Sequence, residues 1–413
     1  MKLKRSDYVF YISRTKCKIN CVWRGWMLEQ EKPLEFDDFD NLGSIMEVSV
    51  TEPLPTDMSF PNVQFTKKFA IEFLRLCDLA QSFGNDVYTK SFLLSRRGYD
   101  VIDLVYANSV VYAHKEVPIE PSESQLSGDF VIDFRSFAKV FLLPGPNMLL
   151  FSEDNTLYSR VFGGNVFIPV MNVIKDPYEQ PDAGKLLSSF VIEGEKLITL
   201  FRSFLVLSKT GTRATERAVY FDDNCAYIYS GAVVGQFEGK FTNMVLQNND
   251  IELILKFFSL SKGDIEVEVC ENYVVLRTGK DYLMLQRKTL ELPQTAKLPI
   301  KTNFGVKIDA KTLWEIVKIL ESIPTNSGVV DFSLTGSGLD IVAPSRLEGK
   351  TSRFSILGEE VGSGNDKQIR VSLKLLKNYI AAFSGEILFS FAGGKVIIVG
   401  ELGSVLIMGL QEK

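Results

Sequence analysis

The residues that could carry chemistry are few in this sequence, and their spacing fits no known kind of active site. Gly349-Lys350-Thr351 has the ending of a phosphate-binding loop, but that motif needs glycine at position 344, where the chain has Pro344. Cys17 and Cys21 supply at most half of a metal site. Asp222-Asp223-Asn224 is typical of a turn, and it would bind a metal only if other carboxylates converged on it. No nucleophile elbow or dinucleotide fingerprint occurs, so we expect no enzymatic activity.

The composition narrows the class of protein further. The chain has 413 residues, a net charge of −5 and a single histidine, His114, so it cannot build a multi-histidine metal site. Its five cysteines are scattered and odd in number, which indicates a reducing compartment and no disulfide framework. No apolar run is long enough to span a membrane. We expect a cytoplasmic protein of roughly two to four domains, with no cofactor and no metal.

The C-terminal stretch from Gln368 to Leu410 shows how the elements of the chain are ordered. Leu376, Ile380 and Phe383 recur at i, i+4 and i+7, which predicts one buried face of a short helix. A strand precedes this helix and three short apolar strands follow it, with Gly393-Gly394 as a hairpin turn. The stretch therefore predicts a β-α-β-β-β unit of about 45 residues.

Weaker copies of this unit recur along the chain from residue 65 onward. Helices are predicted at about 66–83, 133–142, 193–208, 248–260, 309–322 and within the C-terminal stretch, with Asp309 as the cap of the fifth. Proline-bearing linkers at 175–184 and 292–299 divide the six units into three pairs. The prediction is an α+β chain with an N-terminal extension at 1–60 and domains at 61–178, 185–293 and 303–413. The alternative is two or three unrelated α+β domains.

Lysine or arginine recurs away from the apolar face of every predicted helix. For one helix alone, a solvated surface explains such charges, and Glu72, Glu252 and Glu315 dilute them. Only their repetition on six helices of an acidic chain indicates a functional surface. The helix-borne basic residues are Lys67, Lys68, Arg75, Arg135, Lys139, Lys196, Arg202, Lys256, Lys311, Lys318, Lys374 and Lys377.

The closing segments of the chain resemble a known family. Ser372-Leu-Lys-Leu-Leu-Lys-Asn-Tyr-Ile and Ser404-Val-Leu-Ile-Met-Gly-Leu are similar to the last helix and last strand of bacterial-type sliding clamps, the β-subunit processivity factors of replicative DNA polymerases. The resemblance covers roughly residues 61–413 and rests on the order of the units more than on identity. Gly409 stands where the family has proline, and the additional N-terminal residues fit a phage or other mobile-element origin.

The resemblance implies three tandem clamp domains, each of two β-α-β-β-β units, with helices lining a ring and antiparallel sheets outside. It implies that the helix-borne basic residues contact double-stranded DNA without reading its sequence, and that a DNA polymerase and a clamp loader are partners. Six helices about 10 Å apart would enclose a hole roughly 19 Å wide, whereas duplex DNA is roughly 20 Å across and twelve helices would enclose roughly 38 Å. The expected ring is therefore a head-to-tail homodimer, closed between the first and third domains.

The resemblance also implies a pocket between the second and third domains, which binds a short apolar peptide of the partners. Carried over residue by residue, the pocket residues are Tyr229, Gly231, Val234, Pro293, Leu298, Leu406 and Met408. A glycine leaves room for a ligand side chain, and leucine and methionine form an adaptable apolar surface. The alternative is that residues such as Val234 and Leu298 belong to the core between the domains. Tyr229 and Gly409 depart from the family pattern and put the shape of the pocket in doubt.

Two other classes of function stay open at the level of the sequence. One is a viral structural protein built from duplicated α+β domains, since such a protein would show the same order of units. The other is an enzyme, for which the unassigned carboxylates are the only support. Retention on circular but not on linear DNA separates a sliding clamp from both.

Overall fold

A computed structural model describes the chain between residues 2 and 408, with gaps. The described residues are 2–5, 8–12, 19–23, 62–64, 67–82, 90–96, 101–118, 128–141, 148–151, 157–161, 164–168, 170–171, 176–209, 211–231, 233–292, 297, 300–322, 328–344, 351–364, 367–401 and 403–408. Residues discussed above that lie outside this set are Cys17, Pro293, Leu298, Gly349, Lys350 and Gly409. Within the described residues, no helix combines the length and the apolar character needed to cross a membrane.

The chain forms two compact units, Met1–Glu52 and Pro53–Lys413. The first contains a three-stranded antiparallel sheet of β1 (Lys2–Arg5), β2 (Tyr8–Ile12) and β3 (Ile19–Trp23). The strand β1 is short and highly charged, so the sequence shows no apolar pattern there.

The second unit contains six helices among its described residues, one for each predicted copy. They are α1 (Lys67–Gln81), α2 (Phe134–Phe141), α3 (Gly194–Ser208), α4 (Asn248–Phe257), α5 (Ala310–Ser322) and α6 (Leu373–Ile380). Asp309 caps α5 as predicted, because its Oδ2 accepts hydrogen bonds of 2.8 Å from both the N–H and the Oγ1–H of Thr312. The buried face of α6 was predicted to reach Phe383, but the helix ends earlier, at Ile380. Phe383 is still buried, because the chain continues from Ile380 in a tight turn. In this turn the Phe383 N–H donates to the Ile380 carbonyl.

Strands flank every helix in the predicted order, one before it and three after it. In the first two copies they are β4 (Asn62–Gln64), β5 (Ser91–Arg96), β6 (Val101–Ala107), β7 (Val111–Pro118), β8 (Gly128–Asp133), β9 (Met148–Phe151), β10 (Leu157–Val161) and β11 (Gly164–Ile168), followed by β12 (Val170–Met171). In the next two copies they are β13 (Leu186–Glu193), β14 (Ala218–Phe221), β15 (Cys225–Tyr229), β16 (Val233–Glu238), β17 (Met244–Gln247), β18 (Asp264–Cys270), β19 (Tyr273–Thr278) and β20 (Asp281–Gln286).

The last two copies repeat the pattern with a short extra strand. Their strands are β21 (Gly305–Asp309), β22 (Val329–Thr335), β23 (Gly338–Pro344), β24 (Thr351–Leu357), β25 (Glu359–Val361), β26 (Gln368–Ser372), β27 (Glu386–Ala392), β28 (Lys395–Gly400) and β29 (Gly403–Met408). The predicted hairpin at Gly393-Gly394 is confirmed, because both glycines have positive φ (56° and 70°) and Ala392 pairs with Lys395.

Neighbouring copies exchange their first strands. The strand before each helix pairs antiparallel with strands of the other copy in its pair, as β4 does with β9 and β8 with β5. The same exchange joins β13 to β18, β17 to β14, β21 to β27 and β26 to β22. Two copies therefore cannot fold their sheets separately, which makes the pair the structural unit.

Two of the sheets extend across neighbouring pairs of copies. The strand β7 pairs with β20, which we call the first seam, and β16 pairs with β29, which we call the second seam. Each seam creates a nine-stranded sheet, and four-stranded sheets lie at the two ends of the series. The outermost strands of these end sheets include β11 and β24.

The helices form a second layer against the sheets. Successive contacts run in the order α2, α1, α4, α3, α6 and α5, so the six helices form one row. Large side chains fill the space between the layers, as where Phe73 of α1 meets Phe92 at 5.7 Å and Phe204 of α3 meets Phe237 at 5.0 Å between ring centroids. Burying such a side chain contributes about 1.5–3 kcal/mol, and this apolar contact fixes which helix faces remain exposed.

Candidate nucleic-acid interface and partner-binding surface

The faces of the helices that point away from the sheets carry most of the predicted basic side chains. Those that are exposed are Arg75, Arg135, Lys139, Lys196, Arg202, Lys256, Lys311, Lys318 and Lys374. Lys67 and Lys68 lie in the first turn of α1, where the side chains are outside the described set. Each helix of the row therefore contributes at least one exposed cation to the same layer of the molecule.

Acidic side chains on the exposed helix faces are fewer. Among the described helix residues, Glu195, Glu315 and Glu321 are exposed, Asp78 and Glu252 are half-buried, and Asp250 is buried. Glu321 on α5 forms an ion pair with Lys377 on α6, so this predicted DNA-binding lysine is already neutralised within the chain. The exposed layer is thus net basic although the whole chain is acidic.

Some of the basic side chains lie along their own helices. The Nζ of Lys318 is 5.1 Å from the ring centroid of Trp314, and the guanidinium of Arg135 is 5.9 Å from that of Phe134. A cation over an aromatic face gains about 0.5–1 kcal/mol at an exposed site. This contact holds the charge near the helix surface.

The second seam presents a cross-strand row of apolar side chains on the face opposite the helices. Tyr229 pairs with Val234, and Val234 pairs with Leu406 across the seam. All three are half-buried, whereas their strand neighbours Val233 and Ile407 are completely buried against the helices. Three of the predicted pocket residues are therefore brought together, and Val234 is not part of the core between sheet and helices.

For the remaining predicted pocket residues, the structure describes the backbone of some and neither backbone nor side chain of others. Gly231 has φ of +62° in the turn before β16, and a Cβ there would meet no atom within 4 Å. Met408 is paired with Lys395 in β29, but its side chain is outside the described set, as are Pro293 and Leu298. The end of the linker is fixed near this row, because the N–H of Ile300 donates to Oε1 of Gln236 at 3.2 Å.

A cavity of about 270 Å³ is lined in part by Tyr227, which lies two residues from Tyr229 on the same face of β15, and by Leu292 and Lys297 of the linker. Its lining includes Tyr220, Tyr227, Arg287 and Leu290, together with Lys288. Nζ of Lys288 lies 2.7 Å from both carboxylate oxygens of Asp250, which anchors the segment after β20 to the start of α4. Among the described residues, none of those predicted for the pocket lines this cavity, although Leu292 and Lys297 are the sequence neighbours of the predicted Pro293 and Leu298.

The first seam carries a buried charge that the sequence did not reveal. Lys115 on β7 is only 2% exposed, and its Nζ lies 3.8 Å from Oδ2 of Asp281 on β20. The same ammonium donates to the Phe257 carbonyl at 3.3 Å and lies 5.0 Å from the centroid of the Phe257 ring. Burial raises the pKa of Asp281, while the charge of Lys115 opposes that rise.

The residues considered first for metal binding form no metal site among the described residues. Asp222 accepts backbone hydrogen bonds from Asn224 at 3.0 Å and Cys225 at 2.8 Å, which confirms the turn between β14 and β15. No group of three or more histidine, cysteine or acidic side chains could hold a metal in the described part of the chain. Cys77, Cys225 and Cys270 are all free thiols.

Solved structures reveal what this fold resembles. No family model and no curated protein sequence matches the chain. The DNA polymerase sliding clamp from Bacillus subtilis is similar with a TM-score of 0.69 and 15% identity, over 86% of this chain and 100% of that one. The β subunits of DNA polymerase III from Thermotoga maritima (0.66; 14% identity; 85% and 100%) and Pseudomonas aeruginosa (0.65; 12% identity; 85% and 99%) are similar to the same degree. At these identities the likeness establishes architecture, and the chain has the fold of the bacterial DNA polymerase sliding clamps in a divergent sequence.

Proposed function

We propose that this chain is a DNA sliding clamp, a processivity factor that encircles duplex DNA and tethers a DNA polymerase to it. The observation that carries the proposal is the single row of six helices whose exposed faces are net basic in an acidic chain. A row of this kind offers phosphates a long, sequence-independent surface and offers the bases no complementary groups. The protein would therefore act as a scaffold and not as an enzyme, in the cytoplasm.

The open strand edges support a closed ring made of two protomers. Each copy of the unit ends in a third strand, and four of these six strands pair with one another at the two seams. The two left over, β11 and β24, have no further partner strand among the described residues. Pairing β24 of one protomer with β11 of its partner would repeat the seam geometry and place twelve helices in one ring.

Exposed apolar side chains mark both of these edge strands. Phe167 on β11 is 51% exposed and Leu357 on β24 is 83% exposed. An exposed edge strand with apolar side chains is a template for pairing with another chain. A head-to-tail dimer would cover both edges, and a clamp loader would be the partner that opens the ring around DNA.

The apolar row of the second seam supports the proposed site for partner peptides. Tyr229, Val234 and Leu406 are half-buried on the face opposite the helices, so a bound peptide would not compete with DNA. The open space at Gly231 extends this row at one end. We assign to it the docking segment of a DNA polymerase or loader.

Sedimentation velocity at micromolar concentration tests the ring directly. We expect a dimer for the unaltered protein and a monomer for Leu357→Asp, because a charge on the β24 edge opposes strand pairing. Ile319→Asp is the matched control, since Ile319 is also an exposed apolar residue (48%) but lies on α5. A stable monomer for the unaltered protein, or an unchanged dimer for Leu357→Asp, would contradict the proposal.

A further inference from the structure

The single histidine of the chain lies at the first seam. His114 is on β7 and is directly paired with Tyr282 on β20. Its ring stacks on that of Tyr282, with centroids 4.9 Å apart and planes 21° from parallel. The side chain is 17% exposed, so solvent protons reach it although it is packed between neighbouring strands.

Both ring nitrogens of His114 face groups that can only accept a hydrogen bond. Nδ1 is 3.1 Å from the carbonyl oxygen of Lys280, and Nε2 is 3.4 Å from Oδ1 of Asp103 on β6. A neutral imidazole carries one N–H and one lone pair, so one of these two contacts would be repulsive. The imidazolium satisfies both contacts, and it links β6 and β7 to the turn that begins β20.

The other charged groups around the ring mostly form ion pairs and hydrogen bonds with one another. On β20, Asp281 accepts a hydrogen bond from the Glu116 N–H at 2.8 Å and faces Lys115. Lys280 forms an ion pair with the Glu116 carboxylate at 2.8 Å. On β19, the Arg277 guanidinium is 5.2 Å from the ring centroid of Tyr282, and it pairs with Glu268 of β18 at 3.0 Å.

The segment that crosses this face adds no further charge at the ring. Gln180 accepts a hydrogen bond of 3.0 Å from the Tyr282 hydroxyl, and Tyr178 is buried against the same patch. Asp103 and Asp281 are therefore the charges that act on His114 from the neighbouring strands. Both are acidic and both favour the protonated ring.

We propose that the first seam is a pH-sensitive latch, in which the imidazolium of His114 holds β7 and β6 to β20 and loss of its proton loosens this joint. The inference stands on the geometry of the seam and does not depend on DNA binding. The latch would set the stiffness of the joint between the first and second pairs of copies. The second seam contains no histidine and would not respond to pH changes near the pKa of a histidine.

The direction of the pH effect follows from the groups that lower or raise the pKa of His114. Burial lowers the pKa of His114, but the hydrogen bond and charge of Asp103, the Lys280 carbonyl and Asp281 together raise it above its ordinary value of 6.5. A group whose pKa is raised by folding stabilises the fold fully below its unfolded-state pKa. That stabilisation is lost as the pH rises from about 6.5 through the folded-state pKa.

A proton NMR titration of the full-length protein tests the latch, because one histidine gives one unambiguous set of ring signals. We expect these signals to titrate above pH 6.5 in the unaltered protein and at a lower pH in Asp103→Asn. Hydrogen exchange then reports the joint itself, through the amides of Tyr112 and Met284, which form a hydrogen-bonded pair across the seam in the same register as Val110 and Gln286. Their protection should fall tenfold for each unit by which the folded-state pKa exceeds 6.5, once the pH has passed that value.

His114→Gln provides the matched comparison, since it removes the titration but keeps one donor. The melting temperature of the unaltered protein should exceed that of His114→Gln by more at pH 6 than at pH 9. A ring pKa at or below 6.5 would overturn the proposal. So would a difference between the two proteins that does not change with pH, since that would show a purely structural role for the ring.

Discussion

The two seams join the same kind of strands in different ways. At the first, the strands carry the buried ammonium of Lys115, the ring of His114 and the carboxylate of Asp281 beside buried apolar residues such as Ala113 and Leu283. At the second, four successive pairs include no charged residue, and Val233 and Ile407 form a fully buried pair. Both create a nine-stranded sheet, so backbone pairing alone accounts for the architecture.

The difference indicates how one joint can be specialised without a change of fold. A buried charge pair adds little net stability, but it strongly disfavours any arrangement that separates the partners. The first seam is therefore suited to fixing register and to responding to pH. The second gains its stability from apolar contact, and its outer row of half-buried side chains remains available for a partner.

Truncating the core of the second seam should have the largest effect on stability. Ile407→Ala removes a completely buried side chain and should lower the free energy of unfolding by about 3–4 kcal/mol. Leu406→Ala, on the opposite face of the same strand, should cost less than about 1 kcal/mol because that side is half-exposed. Chemical denaturation measures both. Equal losses would show that the two faces of the seam are not distinct.

Breaking the ion pair of the first seam should have the next largest effect. Lys115→Met leaves the Asp281 carboxylate partly buried without its partner and should lower the free energy of unfolding by about 2–3 kcal/mol. Adding Asp281→Asn should restore most of that loss, since an amide oxygen can still accept the Glu116 N–H. A double-mutant cycle in denaturant measures the coupling. Additive losses would mean that the two side chains do not interact.

A charge in the outer row of the second seam should abolish partner binding and leave the fold intact. We expect Leu406→Glu to weaken binding of short apolar peptides, selected on the unaltered protein from a displayed random library, by roughly 30-fold or more. Met408→Glu combined with removal of residues 410–413 should act in the same way. Val191→Glu is the control, because Val191 is also an exposed apolar residue (62%), on β13. Unchanged peptide affinity in a folded Leu406→Glu protein would rule out this pocket.

DNA binding should not distinguish the two seams. Lys256 on α4 lies behind the first and Lys374 on α6 behind the second, and both side chains are exposed. Each change to alanine should reduce the slope of log affinity against log salt by about 0.9, whereas Lys185→Ala, outside the helices, should not. Lys377→Ala should have a smaller effect, because that lysine already pairs with Glu321. Unchanged slopes would place these lysines away from DNA.

The sequence predicted the local elements well for identifiable physical reasons. Apolar periodicity placed the helices to within a few residues, and the Asp309 cap and the glycine pair at 393–394 marked boundaries by their own chemistry. The end of α6 was misplaced, because Phe383 keeps the apolar spacing after the helical hydrogen bonds have stopped. An apolar pattern predicts both a buried side chain and a helical backbone, and the second part of that prediction fails where the helix ends before the pattern does.

The relations between distant segments could not be predicted in the same way. The exchange of first strands and the pairing of β7 with β20 leave no local pattern, since any apolar strand can pair with another. The sequence singled out His114 only as the one histidine, and Lys115 drew no attention beside it. The resemblance grouped Val234 with Leu406, which pair across the second seam, because it carried information about the assembled fold that neither segment holds alone.

Topological capture on DNA tests the central claim most directly. Linear DNA is incubated with the protein so that preformed rings can thread over its ends, and the DNA is then circularised by ligation and washed in concentrated salt, which removes electrostatic binding. We predict that the protein stays on the closed circles, is released when a restriction enzyme cuts them, and is not retained by Leu357→Asp. Loss of the protein from circles and linear DNA alike, from a preparation shown to be dimeric, would contradict a clamp that encircles DNA.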